Sequence, residues 1–332
     1  MPRQPPCAHS PVPHERDMIA ADAPVFVAGH RGMVGSALVR ALQALGHRRI
    51  VVRTREQLDL CDAAAVDAFL VEQRPAYIFV AAAKVGGIVA NQTQPADFLC
   101  QNLQIAANLI GGAHRAGVQR LMYFASNCIY PRDCVQPMTE SALLGGPLEP
   151  TNEAYAIAKI AGLKLCEAFQ KQYGRDYVTV LPASLYGPND NYTPGSSHVL
   201  PALLRRAHEA RERGDAELVV WGSGTPRREF LYVDDLAKAC LGLMTMGYSG
   251  VPINIGSGTD LSIRELAEAV VDTVGFTGRL VFDASKPDGM PRKLLDSTRI
   301  RTLGWRPTVD LREGLRHAYE VAPWRSDAVT MT

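Results

Sequence analysis

The sequence has almost no net charge. Lysine and arginine together number 35 and aspartate and glutamate 34, so the formal net charge is +1 over 332 residues. Proteins that bind nucleic acid or an anionic membrane surface usually carry a basic excess, which this composition lacks. We therefore expect no nucleic-acid partner and no membrane partner, although a local basic pocket for a small phosphate-bearing ligand is compatible with the sequence.

Cysteine is sparse and long apolar runs are missing. The seven cysteines are scattered, and none belongs to a Cys-x-x-Cys pair. This arrangement indicates neither a disulfide framework nor a zinc site, so no bound metal is expected. No apolar run reaches the roughly 18 to 20 residues that span a membrane, and residues 1–22 lack the apolar centre of a secretory signal. The sequence predicts a cytoplasmic protein.

Hydrophobic periodicity is absent from residues 1–23, which contain prolines at positions 2, 5, 6, 11 and 13. Such a segment has too little patterned apolar surface to form a packed element. We predict a disordered N-terminal extension over 1–23, and we expect the folded chain to begin at Pro24.

From Pro24 onward, short apolar runs alternate with amphipathic stretches. The runs that read as strands lie at 25–28, 50–52, 77–80, 121–124 and 178–181. The stretches that read as helices lie at 36–45, 62–72, 95–116 and 152–173. Nearly continuous apolar strands alternating with helices are typical of a parallel sheet covered on both faces. The predicted fold class is α/β, a doubly wound Rossmann domain with a second, smaller α/β lobe on its C-terminal side.

The first predicted strand runs directly into a G-x-x-G-x-x-G string, Gly29-His30-Arg31-Gly32-Met33-Val34-Gly35. Glycines at this spacing let the backbone turn tightly and approach a pyrophosphate, whose charge is met by the amides that open the next helix. A glycine triplet alone is weak evidence, but its place in a strand-turn-helix unit favours a dinucleotide site over a simple tight turn.

The second predicted strand ends at Arg53-Thr54-Arg55, where an enzyme specific for NAD usually carries an acidic residue. Two guanidinium groups suit the 2′-phosphate of NADP(H), and Arg31 in the glycine string adds a third. Surface arginines that serve solubility are the alternative, and the neighbouring Glu56 keeps it open. The sequence favours NADP(H) as the cofactor.

These signals divide the chain into two predicted domains. An NADP-binding Rossmann domain covers 24–185 plus about 228–256. A substrate domain covers 186–227 and 257–332, and it contains a predicted helix at 198–211, a strand at 218–221 and a helix at 262–274.

Tyr155 and Lys159 are four residues apart, a spacing that places both side chains on one face of a helix. A lysine beside a tyrosine favours the phenolate, so we expect the pKa of Tyr155 to be lowered. Such a pair is commonly only a surface helix face. Here Ser126 follows the fourth predicted strand, at the sheet edge where ligands bind, and its hydroxyl is placed to hydrogen-bond a substrate oxygen.

With these residues in view, the chain resembles the extended short-chain dehydrogenases, and Ser126, Tyr155 and Lys159 match the catalytic triad of that superfamily. Longer strings resemble the GDP-L-fucose synthase family within it. They are Ala28–Gly35, Ala81–Ile88, Cys128–Pro131, Glu149–Glu153, Trp221–Gly224 and Lys286–Gly289. The resemblance extends from about Val25 to Trp305.

The resemblance implies an NADP-dependent oxidoreductase with epimerase activity. Its substrate would be GDP-4-dehydro-6-deoxy-D-mannose, epimerised at C3 and C5 and then reduced at C4 to GDP-L-fucose. Cys128 and His198 match the epimerisation pair, as base and acid respectively. Taken alone, a single cysteine is more often a small buried residue and a lone loop histidine more often structural.

The resemblance also implies ligand contacts and an oligomeric state. Cofactor contacts are expected from the glycine string, from Lys159 and His198, and from Arg55, Leu60, Ala82, Asn102, Ala125, Pro182 and Leu185. For Asn102, a structural or a proton-relay position on its helix is the other expectation. Substrate contacts are expected from Arg206, Trp221, Arg228, Asp288 and Lys293, although solvated arginines and a core tryptophan are the alternative. The helices at 95–116 and 152–173 imply a homodimer.

Two other functions stay open at this point. Another nucleotide-sugar enzyme of the superfamily, such as a 4,6-dehydratase or a 4-epimerase, would recycle its own NAD. A dehydratase normally has an acidic pair after the triad serine, where this chain has Asn127 and Cys128. A non-catalytic NADP(H)-sensing protein commonly loses the tyrosine or the lysine, and this chain keeps both. Asn127 also departs from the family, many members of which have serine there.

Overall fold

The computed structural model describes residues 19–286 and 288–325. Most of the predicted N-terminal extension, residues 1–18, therefore lies outside the described residues. Ile19 is 6% exposed and belongs to the hydrophobic core, while Asp22 forms an ion pair with Arg48 at 2.8 Å. The packed chain thus includes residues 19–23, which the sequence assigned to the extension.

The larger domain is built on a six-stranded parallel sheet of order β2-β1-β3-β4-β5-β9. Its strands are β1 Val25–Ala28, β2 Ile50–Val51, β3 Tyr77–Val80, β4 Arg120–Phe124, β5 Asp176–Pro182 and β9 Ile253–Ile255. Helices that accompany it are α1 Met33–Ala44, α2 Ala63–Gln73, α3 Ile88–Thr93, α4 Pro95–Arg115, α5 Glu153–Tyr173 and α7 Val233–Thr245. The predicted parallel, doubly wound α/β fold is confirmed.

Sequence and burial agree closely in this sheet. All four residues of β1 are buried, and six of the seven residues of β5 are buried, as expected for strands covered on both faces. The chain crosses from β1 to β3 by way of β2 at one edge, so β1 and β3 lie side by side. Their carboxyl ends, and those of β4 and β5, meet at one edge, which is where ligands bind in open parallel sheets.

The smaller domain packs short strands against helices around a second core. Its strands are β6 Ser184–Tyr186, β7 Glu217–Trp221, β8 Arg227–Tyr232, β10 Asp260–Ser262, β11 Arg279–Asp283 and β12 Arg292–Lys293. Its helices are α6 Val199–Arg213, α8 Ile263–Val274, α9 Thr298–Thr302 and α10 Leu311–Glu320. β8 has β10 and β12 as neighbours in one sheet and also pairs with β6, whereas β7 pairs with β11.

The residues of the two hydrophobic cores do not follow the predicted domain boundaries along the chain. Leu295 and Ile300 pack into the core of the larger domain, although the sequence placed all of 257–332 in the substrate domain. On β8, Leu231 belongs to the first core and Phe230 to the second. The predicted boundaries therefore stay a prediction. Among the described residues, no helix is both long and apolar enough to cross a membrane.

Candidate active site

The glycine string forms a turn in which Gly29 and Gly35 have no room for a side chain. Gly29 has a φ of +84°, and a Cβ there would lie 2.7 Å from the amide nitrogen of Ala82. A Cβ on Gly35 would overlap the carbonyl of Gly29. α1 begins at Met33 without a side-chain cap from Gly32, so its first amides are free to bind an anion. This turn fits the pyrophosphate of a dinucleotide.

The three arginines near the predicted 2′-phosphate site behave differently. The charges of Arg31 and Arg55 help to lower the pKa of Glu56, after a larger effect of hydrogen bonding from Thr54. The charges of Arg31 and Arg55 therefore both act on Glu56. Arg53 instead donates to the carbonyl of Val52 at 2.8 Å and lies 5.2 Å from the ring centroid of Phe69.

The predicted triad is assembled between β4 and α5. The Ser126 hydroxyl accepts a hydrogen bond from the Cys128 amide at 3.2 Å and hydrogen-bonds Tyr155. Lys159 is buried and donates to the Phe124 carbonyl at 2.7 Å. Its Nζ lies 5.8 Å from the centroid of the Tyr155 ring. Serine, tyrosine and lysine are thus held in one group at the carboxyl edge of the sheet.

Burial determines the protonation states of Tyr155 and Lys159. Its effect on the pKa of Tyr155 is opposite to the lowering expected from the sequence. Desolvation raises the pKa of Tyr155, with a further contribution from Cys128, while the Ser126 hydrogen bond acts against it. Desolvation lowers the pKa of Lys159 to about 7. The expectation that Lys159 lowers the pKa of Tyr155 is therefore wrong for this structure, because burial outweighs the nearby amine. Tyr155 is held as a phenol, the form that donates a proton.

The buried amine makes a pH-dependent contribution to stability. Lysine has a pKa near 10.5 when solvated and about 7 at position 159. Between these values the unfolded chain binds a proton that the folded chain does not, so the free energy of unfolding rises with pH. We expect Lys159→Met to remove about 2 kcal/mol of this rise between pH 7 and pH 9. Denaturant unfolding of both proteins across that range measures it.

Lys164 provides the control for this comparison, because it lies on the same helix, half exposed, in an ion pair with Glu167. Lys164→Met is expected to keep the slope of the unmodified protein. Identical slopes for Lys159→Met and the unmodified protein would contradict the assignment of a buried, easily deprotonated amine.

Cys128 and His198 both lie next to Lys293. Lys293 Nζ is 3.9 Å from Cys128 Sγ, and its charge helps to lower the pKa of His198, after a larger effect of desolvation. His198 is exposed to solvent. Asn127 is buried, and its Oδ1 lies 3.8 Å from the Cys128 sulfur. Lys293 thus lies beside the cysteine, and its charge also acts on the histidine.

His198 is positioned by the start of α6 and by a contact with the larger domain. It is the residue that precedes the first turn of α6. Two residues earlier, the carbonyl of Ser196 accepts a hydrogen bond from the Gly87 amide at 2.8 Å. A Cβ on Gly87 would lie 2.9 Å from the Ser197 carbonyl. The loop after β3 therefore supports the loop that presents His198.

Arg228 and Lys293 lie side by side on the smaller domain. They are register partners on β8 and β12, so both side chains leave the same face. Burial lowers the pKa of Arg228, and the neighbouring Cys128 and Asp288 act in the opposite direction. Arg206 donates to the Val219 carbonyl, and Trp221 is 61% exposed. Trp221 is consequently not a core tryptophan, and Lys286 Nζ lies 5.8 Å from the centroid of its ring.

Two predicted ligand contacts are occupied by structural hydrogen bonds. Asn102 Oδ1 accepts from the Lys84 amide at 2.9 Å, and its Nδ2 donates to the carbonyls of Lys84 and Phe98. Asp288 accepts from the amide and the hydroxyl of Ser223, each at 2.7 Å. Asn102 therefore fixes the loop after β3 rather than presenting a free amide, and Asp288 closes the turn after Trp221.

The other predicted cofactor contacts lie near the carboxyl edge of the sheet. Ala82 follows β3, Ala125 follows β4, Pro182 ends β5, and Leu185 lies in β6. The Leu60 carbonyl accepts from Asn108 of α4 at 3.0 Å.

One buried carboxylate beside the site, Glu229, was not predicted from the sequence. Its partners are 29 and 66 residues away in the chain, so no local pattern marks it.

Comparison with known proteins agrees with this geometry. The profile of the NAD dependent epimerase/dehydratase family matches residues 25–256, and the chain belongs to that family of nicotinamide-dependent enzymes.

Within the family, the chain belongs with the GDP-L-fucose synthases. It is 56% identical over 299 residues to GDP-L-fucose synthase 1 of Arabidopsis thaliana, covering 90% of this chain and 92% of the relative. It is 54% identical over 305 residues to GDP-L-fucose synthase of Escherichia coli K12, covering 89% and 95%. A GDP-L-fucose synthetase structure from Naegleria fowleri bound to NADP superposes with a TM-score of 0.84, at 27% identity, covering 95% and 97%.

Proposed function

We propose that this protein converts GDP-4-dehydro-6-deoxy-D-mannose to GDP-L-fucose, by epimerisation at C3 and C5 followed by reduction at C4 with NADPH. Membership of the GDP-L-fucose synthases implies a GDP-sugar substrate. The observation that carries the proposal is the convergence of two sets of groups on one cleft. Ser126, Tyr155 and Lys159 serve a carbonyl, while Cys128, Lys293 and His198 serve the neighbouring carbons.

The epimerisation half follows from the acidity of carbons next to a ketone. Cys128 removes a proton from C3 or C5, and the enolate oxygen that forms at C4 receives hydrogen bonds from Tyr155 and Ser126. His198 returns a proton to the opposite face of the carbon. The charge of Lys293, 3.9 Å from the Cys128 sulfur, stabilises negative charge that develops there. One ring position is thus inverted without net oxidation.

The reduction half uses the other set of groups. A bound nicotinamide supplies hydride to C4. Tyr155, which burial keeps as a phenol, donates its proton to the C4 oxygen, and Ser126 holds that oxygen in place. Lys159, anchored on the Phe124 carbonyl, orients the nicotinamide ribose and supports the phenol. The role of Tyr155 as proton donor agrees with the raised pKa that burial gives its hydroxyl.

The cofactor in this proposal is NADP(H), because the charges of Arg31 and Arg55 both act on Glu56. We expect Arg55→Ala to raise the KM for NADPH about tenfold, since hydrogen bonds to charged groups are worth roughly 1.5 to 3 kcal/mol. The KM for NADH, which lacks the 2′-phosphate, should change little. Arg48→Ala, at an exposed ion pair with Asp22, is the matched control. Equal effects on the two cofactors would contradict a role in phosphate recognition.

The GDP group is assigned to Arg206, Trp221, Arg228 and Lys293. Trp221 offers an exposed ring to a base, and the register of Arg228 and Lys293 places two cations on one face for the pyrophosphate and the sugar. Asp288 is assigned a supporting role here, since it fixes the turn that follows Trp221.

A homodimer and a cytoplasmic location complete the proposal. α4 and α5 are both long helices, and Ile157 on α5 is exposed. A dimer that buries this surface is expected from the family resemblance, and light scattering on the purified protein tests it. The cytoplasmic location stays a prediction from the sequence.

The first experiment mixes the purified protein with NADPH and GDP-4-dehydro-6-deoxy-D-mannose and follows the absorbance of NADPH. The expected result is one NADPH oxidised for each GDP-L-fucose formed, identified by mass spectrometry and NMR. A product reduced at C4 without inversion would remove Cys128 and His198 from the mechanism. No oxidation with either NADPH or NADH would overturn the proposed function.

A further inference from the structure

Glu229 is a buried carboxylate beside the active site that none of the steps above uses. It lies on β8, directly after Arg228, and it is 1% exposed. Its Oε2 accepts a hydrogen bond from the Leu295 amide at 2.9 Å. Its Oε1 accepts from the Gly258 amide at 2.6 Å and from the Ser257 hydroxyl at 3.4 Å. Burying a carboxylate is costly unless such donors surround it, and here they come from two separate loops.

The position of these donors connects Glu229 to Lys293. Leu295 is two residues after Lys293, so the bond to Glu229 fixes the end of β12 against β8. Lys293 pairs in register with Arg228 and reaches the Cys128 sulfur at 3.9 Å. The other side of the same segment is held by the larger domain, where Gln136 accepts from the Leu294 amide and the Met138 amide donates to the Leu294 carbonyl.

We propose that Glu229 is a positioning residue for epimerisation, which holds Lys293 at the distance from Cys128 that the proton transfers at C3 and C5 require. The inference rests on the proposed function and deepens it. Glu229 touches neither substrate nor cofactor in this account. It acts through the backbone of β12, and an error of about 1 Å in the placement of a reacting group costs on the order of a hundredfold in rate.

A second buried carboxylate shows what a purely structural role looks like. Asp235 is also 1% exposed, and it accepts hydrogen bonds from the Thr308 and Val309 amides, each at 2.8 Å. Like Glu229, Asp235 hydrogen-bonds backbone amides of a loop that is distant in the chain. Its partners, however, lie beside α7 and α10, and none of them adjoins Cys128, Lys293 or His198.

The two half-reactions are measured separately. Epimerisation is followed in D2O by the incorporation of deuterium at C3 and C5 of GDP-4-dehydro-6-deoxy-D-mannose, with NADP+ present so that no reduction occurs. The redox half is followed in reverse, as a single turnover in which GDP-L-fucose loses a hydride from C4 to NADP+ and a proton from its hydroxyl. This second reaction does not require inversion at C3 or C5.

Glu229→Gln is expected to lower deuterium incorporation about tenfold or more while changing the redox half less than threefold. Asp235→Asn is expected to lower thermal stability and leave the ratio of the two rates unchanged per folded molecule. Because Glu229 acts through Lys293, the double variant Glu229→Gln/Lys293→Met should exchange no more slowly than Lys293→Met alone. If Glu229→Gln does not fold, Glu229→Asp replaces it, because the shorter side chain should reach one of the two loops but not both. The ratio of its epimerisation rate to its redox rate is then compared with that of the unmodified protein.

Equal losses in both half-reactions, or effects of the Glu229 and Lys293 substitutions that multiply in the double variant, would overturn the proposal and leave Glu229 a stabilising residue. Failure of the unmodified protein to catalyse either half-reaction is a different outcome. It would overturn the proposed function itself.

Discussion

Tyr155→Phe is expected to lower the rate of NADPH oxidation by about a thousandfold, since general acid catalysis contributes roughly 10² to 10⁴ in rate. Removal of the hydroxyl deletes the proton donor for the C4 oxygen and the partner of Ser126. The ring remains, so packing against Phe98, at 6.3 Å between centroids, is retained. Steady-state kinetics with NADPH and GDP-4-dehydro-6-deoxy-D-mannose measure the effect, and the dissociation constant of NADPH should change little.

Tyr177 supplies the matched control. It lies on β5, is buried in the core of the larger domain, and its hydroxyl has no hydrogen-bond partner among the described residues. Tyr177→Phe removes a buried phenolic oxygen near the start of β5, away from the carboxyl edge of the sheet, so kcat should stay within a factor of about two of the unmodified protein. A Tyr155→Phe variant that keeps more than a tenth of the activity would mean that another group donates the proton.

Much of the larger domain could be predicted from the sequence, because its strands and helices carry the periodicity of buried parallel strands and of helices. The strand predicted at 77–80 is β3, Tyr77–Val80, and the helix predicted at 152–173 is α5, Glu153–Tyr173. The smaller domain was harder to predict. Its strands are short, and one of them, β12, has only two residues. Their pairing depends on contacts far apart in the chain, which leave no local pattern.

In the candidate site, too, features set by local spacing could be predicted from the sequence, whereas features set by distant contacts could not. Tyr155 and Lys159 are one helical turn apart, so their spacing alone places them together. The direction of their pKa shifts depends on burial by residues from other elements, and the sequence-based expectation for Tyr155 was therefore wrong. For Asn102 the sequence left a cofactor contact, a structural position and a proton-relay position open, and its amide hydrogen-bonds the loop after β3 through both atoms. The match in sequence position did not reveal the hydrogen-bond partners of the Asn102 side chain.

Lys293 shows what the fold adds to a sequence match. The sequence identified it only as a substrate contact, 165 residues from Cys128 in the chain. β12 pairs with β8, and Lys293 Nζ lies 3.9 Å from the Cys128 sulfur. Its charge also contributes to lowering the pKa of His198, after the larger effect of desolvation. A base and an acid that share a cation have coupled proton affinities, so a change at Lys293 should affect both proton transfers together.

Cys128→Ser is expected to lower deuterium incorporation at C3 and C5 by about a hundredfold or more, because an alcohol is a far weaker acid than a thiol and yields its anion much less readily. The shape of the side chain is preserved, so Ser126 and Tyr155 should remain in place. Reduction at C4 does not use the sulfur. The product formed with NADPH should therefore shift toward a C4-reduced sugar that retains its original configuration at C3 and C5, detected by NMR.

Cys134→Ser is the control for that change. Cys134 is also partly buried, but its thiol points to the Val135 carbonyl at 3.5 Å rather than to Lys293. Its replacement should leave both half-reactions unchanged. Since Cys128 and His198 act on opposite faces of a carbon, loss of the base should abolish exchange at both ring positions, whereas loss of the acid should still permit some deprotonation and return from the same face. Exchange that persists in Cys128→Ser and disappears in a His198 variant would reverse the two roles while leaving the site intact.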